Sequence, residues 1–183
     1  MRAVLLGAPG SGKGTQAERI ASRLGVPAIS TGDMLRDQVA AGTELGLRVR
    51  DVMAAGSLVE DDLMAEVVRA RLARSDAQRG FLLDGYPRTT VQAETLERLL
   101  GATDARLDAV VLLEVPEEIL VLRTLGRQRA DDREDVVRER LRVYREKTEP
   151  LVGYYQGRGL LRRVDGDQAV ERVTAAVLAS LGG

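Results

Sequence analysis

At 183 residues the chain suits one domain with a sizeable buried core. Its 27 basic and 28 acidic side chains leave a net charge of −1, so no overall basic field points to a nucleic-acid partner. Cysteine and histidine are both absent, which excludes disulfides, thiol or imidazole catalysis, and a zinc site built on either residue.

Apolar runs and helical patterns alternate along the chain. Ala3–Gly7 reads as a buried strand and Lys13–Leu24 as an amphipathic helix. Ala28-Ile29-Ser30 is a short second strand, followed by helical patterns at Asp33–Ala41 and Leu45–Ala55 with Gly42 between them. Asp61–Ala73 is a longer helix whose acidic first turn suits its dipole. Phe81–Asp84 is a third strand, Thr90–Leu100 a helix, and Ala109–Glu114 a fourth, nearly all-apolar strand. Pro116, Glu117 and Glu118 start the next helix. Arg133–Lys147 is predicted as one helix, Leu151–Gln156 as a short one, Leu160–Val164 as the last strand and Ala169–Leu181 as the final helix. This alternation predicts an α/β fold: a central five-stranded parallel sheet with helices on both faces. The stretch from Ser30 to Val59 holds helices but no strand beyond its first residue, so it reads as an excursion from the sheet. The sequence opens on a strand without the n- and h-regions of a signal peptide, and no apolar run approaches membrane-spanning length. A soluble cytoplasmic protein with no membrane partner is expected.

The segment Gly7-Ala8-Pro9-Gly10-Ser11-Gly12-Lys13-Gly14-Thr15 links the first strand to the first helix. A glycine-rich turn ending in Gly-Lys at a helix start is a phosphate cradle: backbone N–H groups converge on anionic oxygens, the helix end adds partial positive charge, and the lysine reaches the terminal phosphates. Gly10, Ser11, Gly12, Lys13, Gly14 and Thr15 are therefore candidate ligands of a nucleoside triphosphate. The general pattern puts a hydroxyl directly after the lysine, whereas here Gly14 intervenes and the hydroxyl is Thr15. Lys13 and Lys147 are the only lysines, which argues against an incidental lysine in the turn.

Asp84 ends the third strand, where ligands of open α/β sheets gather, and can hold the water shell of Mg²⁺ together with Thr15. Taken alone, it is equally a turn aspartate before Gly85. Gly85-Tyr86-Pro87-Arg88 then sets an arginine at a strand end, and guanidinium matches phosphate geometry. Arg123 and Arg127 are four apart on one helix and share a face. Arg129 follows in a polar loop. Arg140 borders the apolar stripe of Val137, Leu141 and Tyr144, and is expected to be partly covered. Surface pairing with Asp131, Asp132 and Glu134 is the alternative for these arginines.

The cradle through Gln16, the block Ser30-Thr31-Gly32-Asp33-Met34-Leu35-Arg36, the block Asp84–Thr89 and the block Val143–Leu151 together resemble the adenylate kinases, in order and in spacing, over essentially the whole chain. The resemblance implies a P-loop three-layer kinase core (1–29, 60–125, 133–183), a monophosphate-binding excursion at 30–59 and a lid at 126–132. It implies AMP contacts from Thr31, Arg36, Ser57, Leu58, Val59, Gly85, Tyr86, Pro87, Arg88, Gln92, Arg129 and Arg140. By its local pattern alone, Gln92 would sit on a solvated helix face. On the ATP side the resemblance implies Arg123 and Arg127, with Gly166 offering backbone to the base. It assigns phosphoryl transfer to Lys13, Arg88, Arg123, Arg129 and Arg140, and lid closure to Asp131 and Asp132. Only Gln128 separates Arg127 from Arg129, so the resemblance is to the short-lid type, without zinc. ATP, AMP and ADP are the implied partners, Mg²⁺ the implied ion, and a monomer the implied state. A UMP/CMP-type kinase is the first alternative, although such relatives usually carry alanine at the position of Thr31. An AMP kinase using GTP is a second. A regulatory GTPase needs an asparagine-containing base motif, and the chain has no asparagine.

Overall fold

The structure, a computed structural model, describes residues 1–126 and 133–182. Five strands, β1 (Arg2–Leu6), β2 (Ala28–Ser30), β3 (Phe81–Asp84), β4 (Ala109–Glu114) and β5 (Leu161–Asp165), form one sheet in the order β2-β3-β1-β4-β5. Every pairing is parallel, with Leu5 opposite Asp84 on one side and Val111 on the other.

Side chains alternate faces along a strand, and here both faces are covered. Ala3, Leu5, Leu82, Val111, Leu113 and Val164 pack beneath α1 (Lys13–Leu24) and α9 (Val170–Ser180). Val4, Leu6, Phe81, Leu83, Val110 and Leu112 face α4 (Asp61–Leu72), α5 (Thr90–Gly101) and α8 (Pro150–Gly157). Two-sided burial explains why β1 and β4 read as unbroken apolar runs rather than alternating ones. Leu82 and Leu83 are both fully buried, one toward each layer.

Between β2 and α4 the chain forms α2 (Thr31–Ala40) and α3 (Glu44–Ala54). α2 starts two residues before the sequence expectation because the Ser30 hydroxyl accepts a hydrogen bond from the Asp33 N–H and caps the helix at the strand end. α6 (Glu117–Gly126) and α7 (Glu134–Val143) follow β4, and Leu120, Val137 and Leu141 close over Ala8 of the cradle loop. The single helix expected over Arg133–Lys147 is interrupted: α7 ends at Val143, and Tyr144–Thr148 forms a wider turn closed by the Glu149 N–H on the Tyr144 carbonyl. One extra residue wound into a turn shifts the helix face, and such turns cluster at functional sites. A short helical turn at Ser75–Ala77 precedes β3.

The strand order reverses about β1. The chain runs to one edge for β2 and β3, then crosses to β4 and β5, and a crevice opens at the carboxyl ends around β1.

Candidate active site

The loop after β1 fills that crevice. Gly10 has φ of 88°, and a Cβ there would lie 2.5 Å from both the Leu120 carbonyl oxygen and Thr124 Oγ1. Only glycine lets the loop lie this close against α6. α1 is capped at Gly12, and its first backbone bond runs from the Gln16 N–H to the Gly12 carbonyl. The helix start therefore presents the N–H groups of its first turn toward the loop. No acidic residue occupies the first turn of α1, so nothing on the helix competes for its positive end. Lys13 Nζ donates to the carbonyls of Gly7 (2.8 Å) and Ala8 (3.0 Å), which keeps the ammonium across the mouth of the loop.

A cavity of about 570 Å³ runs from this loop to α2, α3 and the start of α4. Gly10, Ser11, Gly12, Lys13, Gly14 and Thr15 line one end. Thr31, Arg36, Ser57, Leu58 and Val59 line the other, with Leu35, Met53 and Met64 as an apolar floor. Asp84, Gly85, Pro87, Arg88, Gln92 and Arg140 stand between them. Arg123 and Gly166 also reach the wall: Arg123 donates to the Gly166 carbonyl (2.9 Å) and to Asp167 Oδ1 (3.0 Å), and Gly166 is itself tied to the Glu114 carbonyl by its N–H (2.8 Å).

The centre of the cavity is strongly cationic. Burial pushes the Arg88 guanidinium below the usual arginine range; Asp84 opposes that, while repulsion from Arg140 and Arg36 adds to it. Arg88, which feels the charges of both Arg36 and Arg140 across the cleft, marks a place where an anion would relieve that repulsion. Arg36 also pairs with Asp33 on its own helix. Arg140 is half-buried, as its place beside the Val137–Leu141 stripe predicts.

The Arg88 main chain is held at both ends. Its N–H donates to Gln92 Oε1 (2.8 Å) and its carbonyl accepts from the Thr148 hydroxyl (2.9 Å), while its Nε donates to the Gly85 carbonyl (2.8 Å). Gly85 has φ of 84°, and a Cβ there would lie 2.8 Å from Thr31 Oγ1. Gln92 is 2% exposed, which overturns the solvated-face reading of its local pattern: its helix faces the cleft, and Gln92 Nε2 donates to Asp61 Oδ1 (2.8 Å). Tyr86 is the one described site residue outside the wall; its ring lies in the core among the residues beneath α5 and α8. Arg127, Arg129, Asp131 and Asp132 lie outside the described residues.

Asp84 sits against the loop, with a Cβ at Gly14 falling 3.8 Å from its Oδ2. Asp84 and Thr15 both line the cavity, and among the described residues no three His, Cys, Asp or Glu side chains gather. Hard oxygen donors of this kind suit the water shell of Mg²⁺.

A family model described as adenylate kinase matches residues 5–160. The chain belongs to the adenylate kinase family. An adenylate kinase of Thermus thermophilus is 56% identical over 183 residues, covering 98% of this chain and 96% of that protein. One of Xanthomonas euvesicatoria is 51% identical over 185 residues (97% and 99%), and one of Stenotrophomonas maltophilia 50% over 187 (100% of each). Sequence reasoning left three residues of this adenylate kinase site without a role. Asp61 read only as a dipole complement on α4, and Thr148 only as part of a resembling block. Asp167 carried no signal, because its link to Arg123 spans 44 positions.

Proposed function

We propose that the cleft binds its two nucleotides at opposite ends and joins them at the arginines. The chain is a phosphotransferase that moves the terminal phosphoryl group of ATP to AMP, reversibly, giving two ADP. ATP lies on Gly10–Thr15, with Lys13 on its terminal phosphates and its base toward Arg123, Arg127 and Gly166. AMP lies at the other end, its phosphate on Arg36 and Arg88 and its base between Thr31, the Ser57–Val59 strip and Gln92. The single continuous cavity, with the phosphate loop at one end and arginines at its centre, supports this reading most strongly.

The chemistry asks little covalent work of the protein. An AMP phosphate oxygen attacks the terminal phosphorus in line with the departing ADP oxygen, and charge spreads over the three equatorial oxygens. Lys13, Arg88, Arg123 and Arg140 supply positive charge around that point; Arg129 is assigned to the same work, and Asp131 and Asp132 to closure. Their alignment of two anions replaces a nucleophile, so the absence of histidine and cysteine costs nothing. Thr15 and Asp84 would hold the water shell of a Mg²⁺ ion bound with ATP, and that ion would supply neutralisation of phosphate charge. The excursion at 30–59 closes over AMP and excludes water, which would otherwise accept the phosphoryl group. We place the enzyme in the cytoplasm as a monomer; among the described residues no helix is long and apolar enough to cross a membrane.

Two variants test the polarity of the cleft. Arg36→Ala should raise KM for AMP about tenfold or more and leave KM for ATP within about twofold, the loss of one charge-assisted phosphate contact. Arg123→Ala should do the reverse. Equal effects on both substrates in either variant would contradict the assignment of the two ends.

A further inference from the structure

Gln92 is gripped from two sides. Its Oε1 accepts from the Arg88 N–H at 2.8 Å, and its Nε2 donates to Asp61 Oδ1 at 2.8 Å. Asp61 Oδ1 also accepts from the Thr89 hydroxyl at 3.1 Å, and the Thr89 oxygen in turn accepts from the Gln92 N–H at 3.1 Å, so this carboxylate oxygen belongs to a closed network. A reversed amide would set its NH₂ against the Arg88 N–H and its oxygen against a carboxylate, losing both bonds for two repulsions. The amide therefore has one polarity in a site that is 2% exposed.

We propose that Asp61 is a positioning residue that fixes the polarity of the Gln92 amide and so sets which base edge the monophosphate end accepts. The proposal rests on the reading above in which Gln92 faces the AMP base. One Nε2 hydrogen and one Oε1 lone pair remain for the base. A purine with an amino group at C6 presents a donor there and an acceptor at N1; a purine with an oxo group presents the opposite pair. A locked amide satisfies one pattern and clashes with the other, whereas a freely rotating glutamine serves both. Discrimination by a site with fixed polar groups is steep, because the wrong partner leaves buried groups unpaired. Asp61 touches no nucleotide; it acts through Gln92. Its position at the first residue of α4 also anchors the lock where the 30–59 excursion returns to the core.

Inosine monophosphate isolates this effect, since it differs from AMP at the C6 group and the N1 proton alone. The wild-type enzyme should prefer AMP to IMP in kcat/KM. Asp61→Ala should lower that ratio about tenfold or more, the worth of one mismatched hydrogen bond, mainly by raising KM for AMP with kcat within about twofold. Asp61→Asn keeps an acceptor for Gln92 and should hold the ratio within about twofold of wild type. A purely structural Asp61 would depress AMP and IMP turnover alike. An unchanged ratio in Asp61→Ala, or an equal fall in Asp61→Asn, overturns the proposal. A structure with AMP bound tests it without a variant: Gln92 Nε2 should still lie within hydrogen-bond distance of Asp61, and a glutamine released from it overturns the lock. A wild-type enzyme that turns over AMP without preferring it to IMP defeats the lock alone, whereas one that does not use AMP defeats the reading beneath it.

Discussion

Replacing Thr148 by valine removes one oxygen and changes the shape of the side chain little. Thr148 is 6% exposed, and its hydroxyl donates to the Arg88 carbonyl at 2.9 Å from a point 60 residues along the chain. Without it the carbonyl loses its donor in a largely dry place, a cost of about 1–3 kcal/mol. For a chain of this length that corresponds to a fall in Tm of roughly 2–4 °C per kcal/mol. The effect on catalysis should exceed the effect on stability. Arg88 keeps its N–H contact to Gln92 but gains freedom at the other end, and a misplacement approaching 1 Å costs up to about 10²-fold in rate. Thr148→Val is expected to lower kcat about tenfold at 25 °C, well below its Tm, in a coupled assay of ADP formation. Thr148→Ser keeps the hydroxyl and should recover most of that loss. A Thr148→Val enzyme with the expected fall in Tm but kcat within about twofold of wild type would refute the claim that this hydroxyl positions Arg88.

Leu83→Ala should cost about 2–5 kcal/mol, since the side chain is fully buried beneath α5 and its removal leaves a cavity in the sheet layer; denaturant unfolding measures this, and a cost below about 1 kcal/mol would contradict the packing described. Gly10→Ala sets a methyl 2.5 Å from the Leu120 carbonyl at a left-handed φ, so the loop must move. ATP titration should show KM for ATP raised about tenfold or more in Gly10→Ala, with KM for AMP little changed, and equal effects on the two would count against the loop as the ATP end.

Much of this was legible before the fold was known. β1, β3 and β4 read directly from apolar runs because both sheet faces are buried, and the cradle announced itself because a strand, a glycine turn and a lysine are contiguous. Arg140 was readable as half-covered from the Val137–Leu141 stripe. What could not be read depends on main-chain contacts between distant elements. Thr148 reaches Arg88 only because the turn after α7 takes an extra residue, and no local preference of Tyr144–Thr148 announces that. Asp61 and Gln92 meet across 31 positions, and each has a sufficient local explanation, a dipole complement and a solvated helix face, that hides the pairing. Tyr86 shows the converse: its neighbours Gly85, Pro87 and Arg88 line the cleft while its ring serves the core.

The central claim is that this chain transfers phosphoryl groups between adenine nucleotides. It is tested most directly by titrating Mg²⁺–ATP against AMP, UMP, CMP and GMP and following diphosphate formation. The account predicts two ADP per turnover with AMP and a kcat/KM for AMP at least about tenfold above that for any other monophosphate, as base hydrogen bonds at Gln92 and Thr31 require. Equal or better turnover of UMP, CMP or GMP would contradict it.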